Sequence, residues 1–133
     1  MTLIKYKARM SQPKDFKNLF INGFTPTDID FVYDVAGKKY IIGELKLVNA
    51  PLPEGQRRAL HYLADNLVSA GCEVCLMVAE HMTVASEPID VGNCEIVKCA
   101  TMKNGTSSDK MYLGMTVSEA CNDFLGIDPE DNT

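Results

Sequence analysis

The sequence lacks any uninterrupted apolar run approaching the ~18 residues that a membrane-spanning helix needs. Its beginning carries Lys5, Lys7 and Arg9 where a signal peptide would have an apolar segment. The five cysteines are an odd number, and 133 residues are enough to bury a core, which argues against a secreted disulfide framework. These features predict a cytoplasmic protein with reduced thiols and no membrane partner.

Basic charge is also scarce, with 13 Lys and Arg against 18 Asp and Glu and a net charge of −5. Residues 1–58 hold ten bases against six acids, a net +4, whereas residues 59–133 hold three bases against twelve acids, a net −9. A protein that binds nucleic acid by charge alone should be basic overall. Any nucleic acid must therefore be held by a local patch.

The pattern of apolar and turn-forming residues predicts one α/β domain over residues 1–127, followed by an acidic, disordered tail over 128–133. The helix predicted over 53–69 should bury a stripe of Leu60, Leu63 and Leu67. Helices are predicted over 11–21, 53–69 and from 116 or 118 to 126, and strands over 28–33, 39–48, 72–79, 95–102 (an edge strand) and 111–113, with a polar loop over 104–109.

The residues with the clearest chemistry lie on the predicted hairpin. Asp28 and Asp30 fall on its first strand, and Glu44 and Lys46 on its second. Because side chains two residues apart on a strand share a face, each pair points one way. Whether the two pairs face the same side depends on the length of the loop between the strands.

The favoured loop has three residues, 35–37, with Gly37 in the left-handed conformation. It places Asp28 directly across from Glu44 and gathers all the acids on one face. A two-residue loop of Ala36 and Gly37 would put the acids on opposite faces. That turn needs left-handed backbone at both central residues, which Ala36 resists.

Three neighbouring carboxylates raise one another's pKa and destabilise the fold unless a cation is present. Carboxylate oxygens suit Mg²⁺ or Mn²⁺, which would keep waters and accept a phosphate oxygen. Lys46 would stand beside the metal, where its ammonium could orient or help deprotonate an attacking water. The arrangement indicates phosphodiester hydrolysis, although Lys46 could instead only form a salt bridge to Glu44 or Asp28.

The region between Thr25 and Leu67 resembles the PD-(D/E)xK nuclease superfamily, above all its small members encoded by phages and mobile elements. The matching segments are Pro26-Thr27-Asp28-Ile29-Asp30, Glu44-Leu45-Lys46 and Glu54-Gly55-Gln56-Arg57-Arg58-Ala59-Leu60. The resemblance implies an αβββαβ restriction-endonuclease-like core, in which a central mixed sheet is flanked by helices. It also implies Mg²⁺- or Mn²⁺-dependent cleavage of nucleic acid, which we expect to be DNA.

The resemblance further implies a catalytic site of one aspartate with Glu44 and Lys46. The spacing to Glu44 suits Asp30 better than Asp28, but hairpin parity alone does not separate the two. Many members place a glutamate on the first helix, whereas residues 1–27 contain one acid, Asp15. Either Asp15 substitutes or that ligand is missing, which leaves a second metal open.

Gln56 precedes Leu60 by four residues, so it should lie on the sheet-facing side of the middle helix and face the site. Some members of the superfamily have a glutamine here that orients the lysine or a water. The basic candidates for binding nucleic acid are Lys14, Lys17, Arg57 and Arg58. Because one site cuts one strand, a homodimer or a larger DNA-processing complex is an attractive partner arrangement.

Two other functions compete with a nuclease. A non-cleaving nucleic-acid or protein binding module on the same fold fits the acidic second half. A zinc site could use Cys72 and Cys75 with Cys94 and Cys99. However, residues three apart on a strand face opposite sides, so buried thiols are the simpler interpretation.

Overall fold

The computed structural model describes Asp15 and residues 17–19, 22–23 and 26–127. Its helices and strands are β1 (Phe31–Val35), β2 (Lys39–Leu47), α1 (Glu54–Ser69), β3 (Glu73–His81), β4 (Glu95–Lys103), β5 (Thr106–Ser108) and α2 (Val117–Leu125). Of the helix predicted over 11–21, the described part contains a 3₁₀ turn, Lys17–Leu19. The rest of that helix and the predicted tail lie outside the described residues.

The strands form one mixed sheet in the order β1-β2-β3-β4-β5. Strands β2 and β3 run parallel and are joined through α1, while the other neighbouring strands are antiparallel. The prediction of a single α/β domain with a mixed sheet is therefore confirmed. Residues 26–53 contribute two strands before α1, where the resemblance implies three, and the αβββαβ core stays a prediction.

The two helices pack on opposite faces of the sheet. On β3, Val74 and Leu76 pack in the cluster that includes Leu60 of α1, whereas Cys75 and Met77 pack with residues of α2. All residues from Val74 to Ala79 are buried because β3 has strands on both sides and is covered on both faces. This explains the nearly continuous apolar run that predicted the strand.

The prediction of α1 is confirmed almost to the residue, with Pro53 preceding its first turn. Its predicted stripe is right at Leu60 and at Leu67, which packs partly buried against the same cluster, but wrong at Leu63, which is 39% exposed. Ala64 takes that place against the sheet, four residues after Leu60, because its small side chain lets the helix approach closely.

The C-terminal helix α2 also matches its prediction. Thr116 caps it in a reciprocal capping box with Glu119, and Gly126 ends it in the left-handed conformation.

The predicted strand over 111–113 is wrong, since this segment forms turns. The fifth strand, β5, lies instead within the predicted polar loop, and β4 is therefore not an edge strand. The tight turn that joins β4 to β5 contains Asn104 and Gly105, and Gly105 has a φ of +79°. Asn-Gly is a strong hairpin signal that this prediction missed.

The β1–β2 hairpin also differs from its prediction. Val35 pairs with Lys39 across a loop of Ala36, Gly37 and Lys38, closed by a hydrogen bond from Lys38 N to Val35 O of 3.0 Å. The left-handed conformation expected to be resisted at Ala36 is adopted, with a φ of +53°. Lys38 adds a third loop residue, which keeps the acids of both strands on one face.

This loop shifts the pairing by two residues from the predicted register. The last pair of the ladder is Phe31 with Gly43, so continuing it by one residue places Asp30 next to Glu44. The predicted pairing of Asp28 with Glu44 is wrong, because the loop lies one residue later in the chain than expected.

Gly43 holds β1 in place by leaving room for an aromatic ring. A Cβ atom at this position would overlap the Phe31 side chain, which packs onto the glycine. We expect Gly43→Ala to displace the ring and lower the free energy of unfolding by about 1–3 kcal/mol, measured by urea denaturation. Gly55→Ala is the matched control, because a Cβ there meets nothing within 4 Å and a helical alanine is stabilising. Equal effects of the two substitutions would contradict this role of Gly43.

Candidate metal centre

Glu44 is the one charged or polar side chain that is fully buried in the described part of the chain, with 3% exposure. It lies on β2, directly beside Val78 of β3, and faces the same side of the sheet as α1. Its Oε1 atom is buried and has no hydrogen-bond partner. A buried carboxyl oxygen without a partner is costly, and a catalytic role or a bound ion is among the explanations for such atoms in folded proteins.

Asp30 stands beside Glu44, one residue before β1 begins at Phe31. The prediction that Asp28 and Asp30 lie on the first strand is wrong, because that strand begins later than residue 28. Its Oδ2 atom accepts a hydrogen bond of 2.7 Å from the backbone N of Leu45. This bond fixes the Asp30 carboxylate to the strand that carries Glu44. Of the two aspartates, Asp30 is therefore the one that the described contacts attach to β2.

Gln56 reaches the same region from the first turn of α1, as its spacing predicted. Its Nε2 atom donates a hydrogen bond of 3.1 Å to the backbone O of Asp28.

In the residues that the structure describes, no group of three or more His, Cys, Asp or Glu is arranged to hold a metal ion. The geometry thus brings two carboxylates together, Asp30 and Glu44, and Asp28 as a third ligand stays a prediction.

The surroundings of Glu44 disfavour its charged form. Burial is the main cause, and the nearby Asp30 carboxylate adds to it, so that the pKa of Glu44 is raised to about 8. A hydrogen bond from the Gln56 side chain lowers this pKa, whereas the charge of Asp28 raises it by a smaller amount. Without a cation, Glu44 is therefore mainly protonated at neutral pH.

Lys46 lies on the same face of the sheet as Glu44, but its ion pair is with Glu80. Its Nζ atom donates to Oε2 of Glu80 at 2.7 Å, and neither side chain is more than 20% exposed. The Lys46 ammonium and the backbone N of Asn49 hold the pKa of Glu80 below its usual range. Among the described ion pairs, the partner of Lys46 is neither Glu44 nor Asp28, the two that the sequence suggested.

Glu80 was missed by the sequence analysis. Its closeness to Lys46 follows from the parallel register of β2 and β3, in which these two residues are direct partners. That register is set by the length of α1 and its connections, and no local motif encodes it. The one available signal was an acid at the end of an apolar strand.

Two of the predicted basic residues, Lys17 and Arg57, are paired with nearby acids. Arg57 donates to Glu54 through both its Nε and Nη2 atoms, and Arg58 is exposed beside it on α1. Lys17 pairs at 3.5 Å with Asp15, which is likewise exposed. Lys14 lies outside the described residues. The described contacts of Asp15 are with Lys17 and do not attach it to the Glu44 region.

Of the four cysteines considered for zinc, Cys72 lies on one side of the sheet, whereas Cys75, Cys94 and Cys99 lie on the other. Cys72 packs in the cluster beneath α1, and Cys75 packs in the cluster beneath α2, as expected for residues three apart. The Sγ atoms of Cys75 and Cys99 lie 3.7 Å apart, and all five cysteines are free.

The raised pKa of Glu44 predicts a pH-dependent stability. In the absence of metal, folded Glu44 keeps a proton that the unfolded chain releases above pH about 4.5, so stability falls as the pH rises from there to about 8. A shift of this size corresponds to a loss of the order of 3–5 kcal/mol. Urea denaturation at several pH values in EDTA should show this loss in the wild type and little of it in Glu44→Gln. Glu95→Gln, at an exposed position of β4, is the control, and a Glu44→Gln profile as steep as the control's would contradict the assignment.

No family model, curated protein or solved structure matches this chain. None of the helices in the described residues has the length and apolar character needed to cross a membrane. Function is therefore inferred from the neighbouring carboxyls of Asp30 and Glu44 and from the side chains around them.

Proposed function

We propose that this protein is a nuclease that hydrolyses phosphodiester bonds of DNA with Mg²⁺ or Mn²⁺, using Asp30 and Glu44 as the metal ligands. The observation that carries the proposal is the buried Oε1 atom of Glu44, which has no hydrogen-bond partner. A second carboxylate, that of Asp30, is fixed next to it by the bond from Leu45 N. The resemblance of this hairpin and of α1 to PD-(D/E)xK nucleases supports the same activity.

The donor set fits a hard divalent cation. Two carboxylates are enough, because Mg²⁺ is usually bound by one or two carboxylates together with waters and substrate phosphates. A cation there would give the Glu44 Oε1 atom a partner, displace the Glu44 proton and offset the repulsion that arises once both carboxyls are ionised. Asp28 is the candidate for a further ligand.

When bound, the cation would stabilise negative charge on the phosphate and lower the pKa of an attacking water. The Lys46 ammonium lies on the same face and would orient that water and offset charge on the phosphate. Gln56, at the start of α1, would help to orient the water or the lysine. Arg57 and Arg58 would contact neighbouring phosphates, Arg57 after exchanging Glu54 for the phosphate.

A homodimer or a larger complex is the proposed form for cutting both strands of a duplex, because one site cuts one strand. We further propose that the enzyme works in the cytoplasm, in the host cell if a phage encodes it. There its five free cysteines would stay reduced.

The second candidate is a binding module on the same fold that does not cleave. The absence of a group of three metal-ligating residues in the described part of the chain favours this alternative. The acidic balance of residues 59–133 also suits a protein partner better than a polyanion.

Cleavage assays with Mn²⁺ and supercoiled, linear, branched and single-stranded DNA test the proposal. We expect the wild type to cut at least one of these substrates. Asp30→Asn and Glu44→Gln should each reduce the rate at least about 100-fold, because each removes a charged ligand. Asp34→Asn is the control on the same hairpin, since its amide oxygen can still accept the bond from Gly37 N.

Titration calorimetry with Mn²⁺ distinguishes the two candidates. A nuclease should show binding heat that disappears in Asp30→Asn. A chain that binds DNA, shows no Mn²⁺ heat and leaves every substrate intact would be a binding module, and the nuclease proposal would be rejected.

A further inference from the structure

We propose that Glu80 is a positioning residue that holds the Lys46 ammonium in place and keeps it away from the metal-binding carboxylates. The inference rests on the proposed function, because the position of Lys46 matters to activity only if the protein hydrolyses phosphodiesters. Glu80 lies outside every motif that the sequence analysis identified.

The order of the strands separates the two acidic groups. Strand β2 lies between β1 and β3, so Asp30 stands on one side of it and Glu80 on the other. Lys46 is the direct parallel partner of Glu80, and their side chains join at 2.7 Å. The 15% and 20% exposure of the two side chains limits competition from water.

The same Glu80 oxygen has a second donor. Asn49 N donates to Oε2 at 3.1 Å, and Asn49 has a φ of +64° at the point where the chain leaves β2. This connection leads to α1, which carries Gln56. One carboxylate atom therefore fixes the ammonium and also the start of the segment that brings the glutamine to the site.

The contact also explains why the Glu44 Oε1 atom stays unpartnered. A lysine two residues along the strand shares the face of Glu44, and its long side chain would otherwise be free to pair with Glu44 or Asp30. Such a pair would neutralise the carboxylates and compete with a divalent cation. By holding Lys46 on the β3 side, Glu80 keeps the ammonium from taking the place of the cation at Asp30 and Glu44.

A purely structural ion pair between β2 and β3 is the competing explanation. A structural role predicts loss of stability alone, without any dependence of metal affinity on Lys46. A positioning role predicts that the effects of changing Glu80 disappear when Lys46 is removed. Double-mutant cycles measure this dependence directly.

The test uses Glu80→Gln, Lys46→Met and the double variant, with unfolding curves to show that each is folded. Glu80→Gln keeps an acceptor for Asn49 N but removes the charge that holds the ammonium. We expect it to lower kcat about tenfold with little change in KM and to have no further effect on Lys46→Met. Glu80→Asp should restore part of kcat. Glu73→Gln is the control on β3, because Glu73 pairs with Lys39 and Lys103 at the other end of the strand.

Mn²⁺ calorimetry on the same variants gives a readout that does not depend on cleavage. Glu80→Gln should weaken Mn²⁺ binding several-fold as Lys46 turns to the carboxylates, and adding Lys46→Met should restore the affinity. A wild type that neither binds Mn²⁺ nor cuts DNA would overturn the proposed function together with this inference. If the wild type binds Mn²⁺ and cuts DNA, either of two results would overturn the inference alone. Glu80→Gln would have the kcat and Mn²⁺ affinity of the wild type, or its effect would be as large in Lys46→Met as in the wild type.

Discussion

The burial of the Glu44 carboxyl in the middle of the sheet is the constraint on which the rest of the site depends. A carboxyl at this position is shielded from solvent, and its Oε1 atom makes no hydrogen bond within the protein. The fold tolerates that cost because β2 is anchored by β1 on one side and by the fully buried strand β3 on the other. Because Glu44 is buried at such a cost next to a second acid, a cation bound at this position would stabilise the fold most.

Each neighbouring element contributes one group to the candidate site that includes Glu44 and Lys46. The packing of Phe31 on Gly43 sets the position of β1, and with it the position of Asp30. Helix α1 starts at the same edge and supplies Gln56, while the parallel pairing with β3 supplies Glu80. The surroundings of Glu44 are thus drawn from segments that are distant in the sequence but adjacent in the sheet.

Most helices and strands could be predicted because their apolar periodicity and end signals are local. The shared face of Asp30 and Glu44 was also predictable, since it needs only the parity of the hairpin. The register was not, because it depended on Ala36 adopting a left-handed conformation that alanine usually avoids. Glu80 was out of reach for a different reason: its partner is decided by a crossover through α1, which leaves no trace in local sequence.

The most direct measurement of the central claim is a crystal structure of the protein soaked in Mn²⁺, with anomalous diffraction data. We predict an anomalous peak at the carboxylates of Asp30 and Glu44, with the Lys46 ammonium still bonded to Glu80. A map without a peak there at millimolar Mn²⁺, or with the ion bound only elsewhere on the surface, would contradict it.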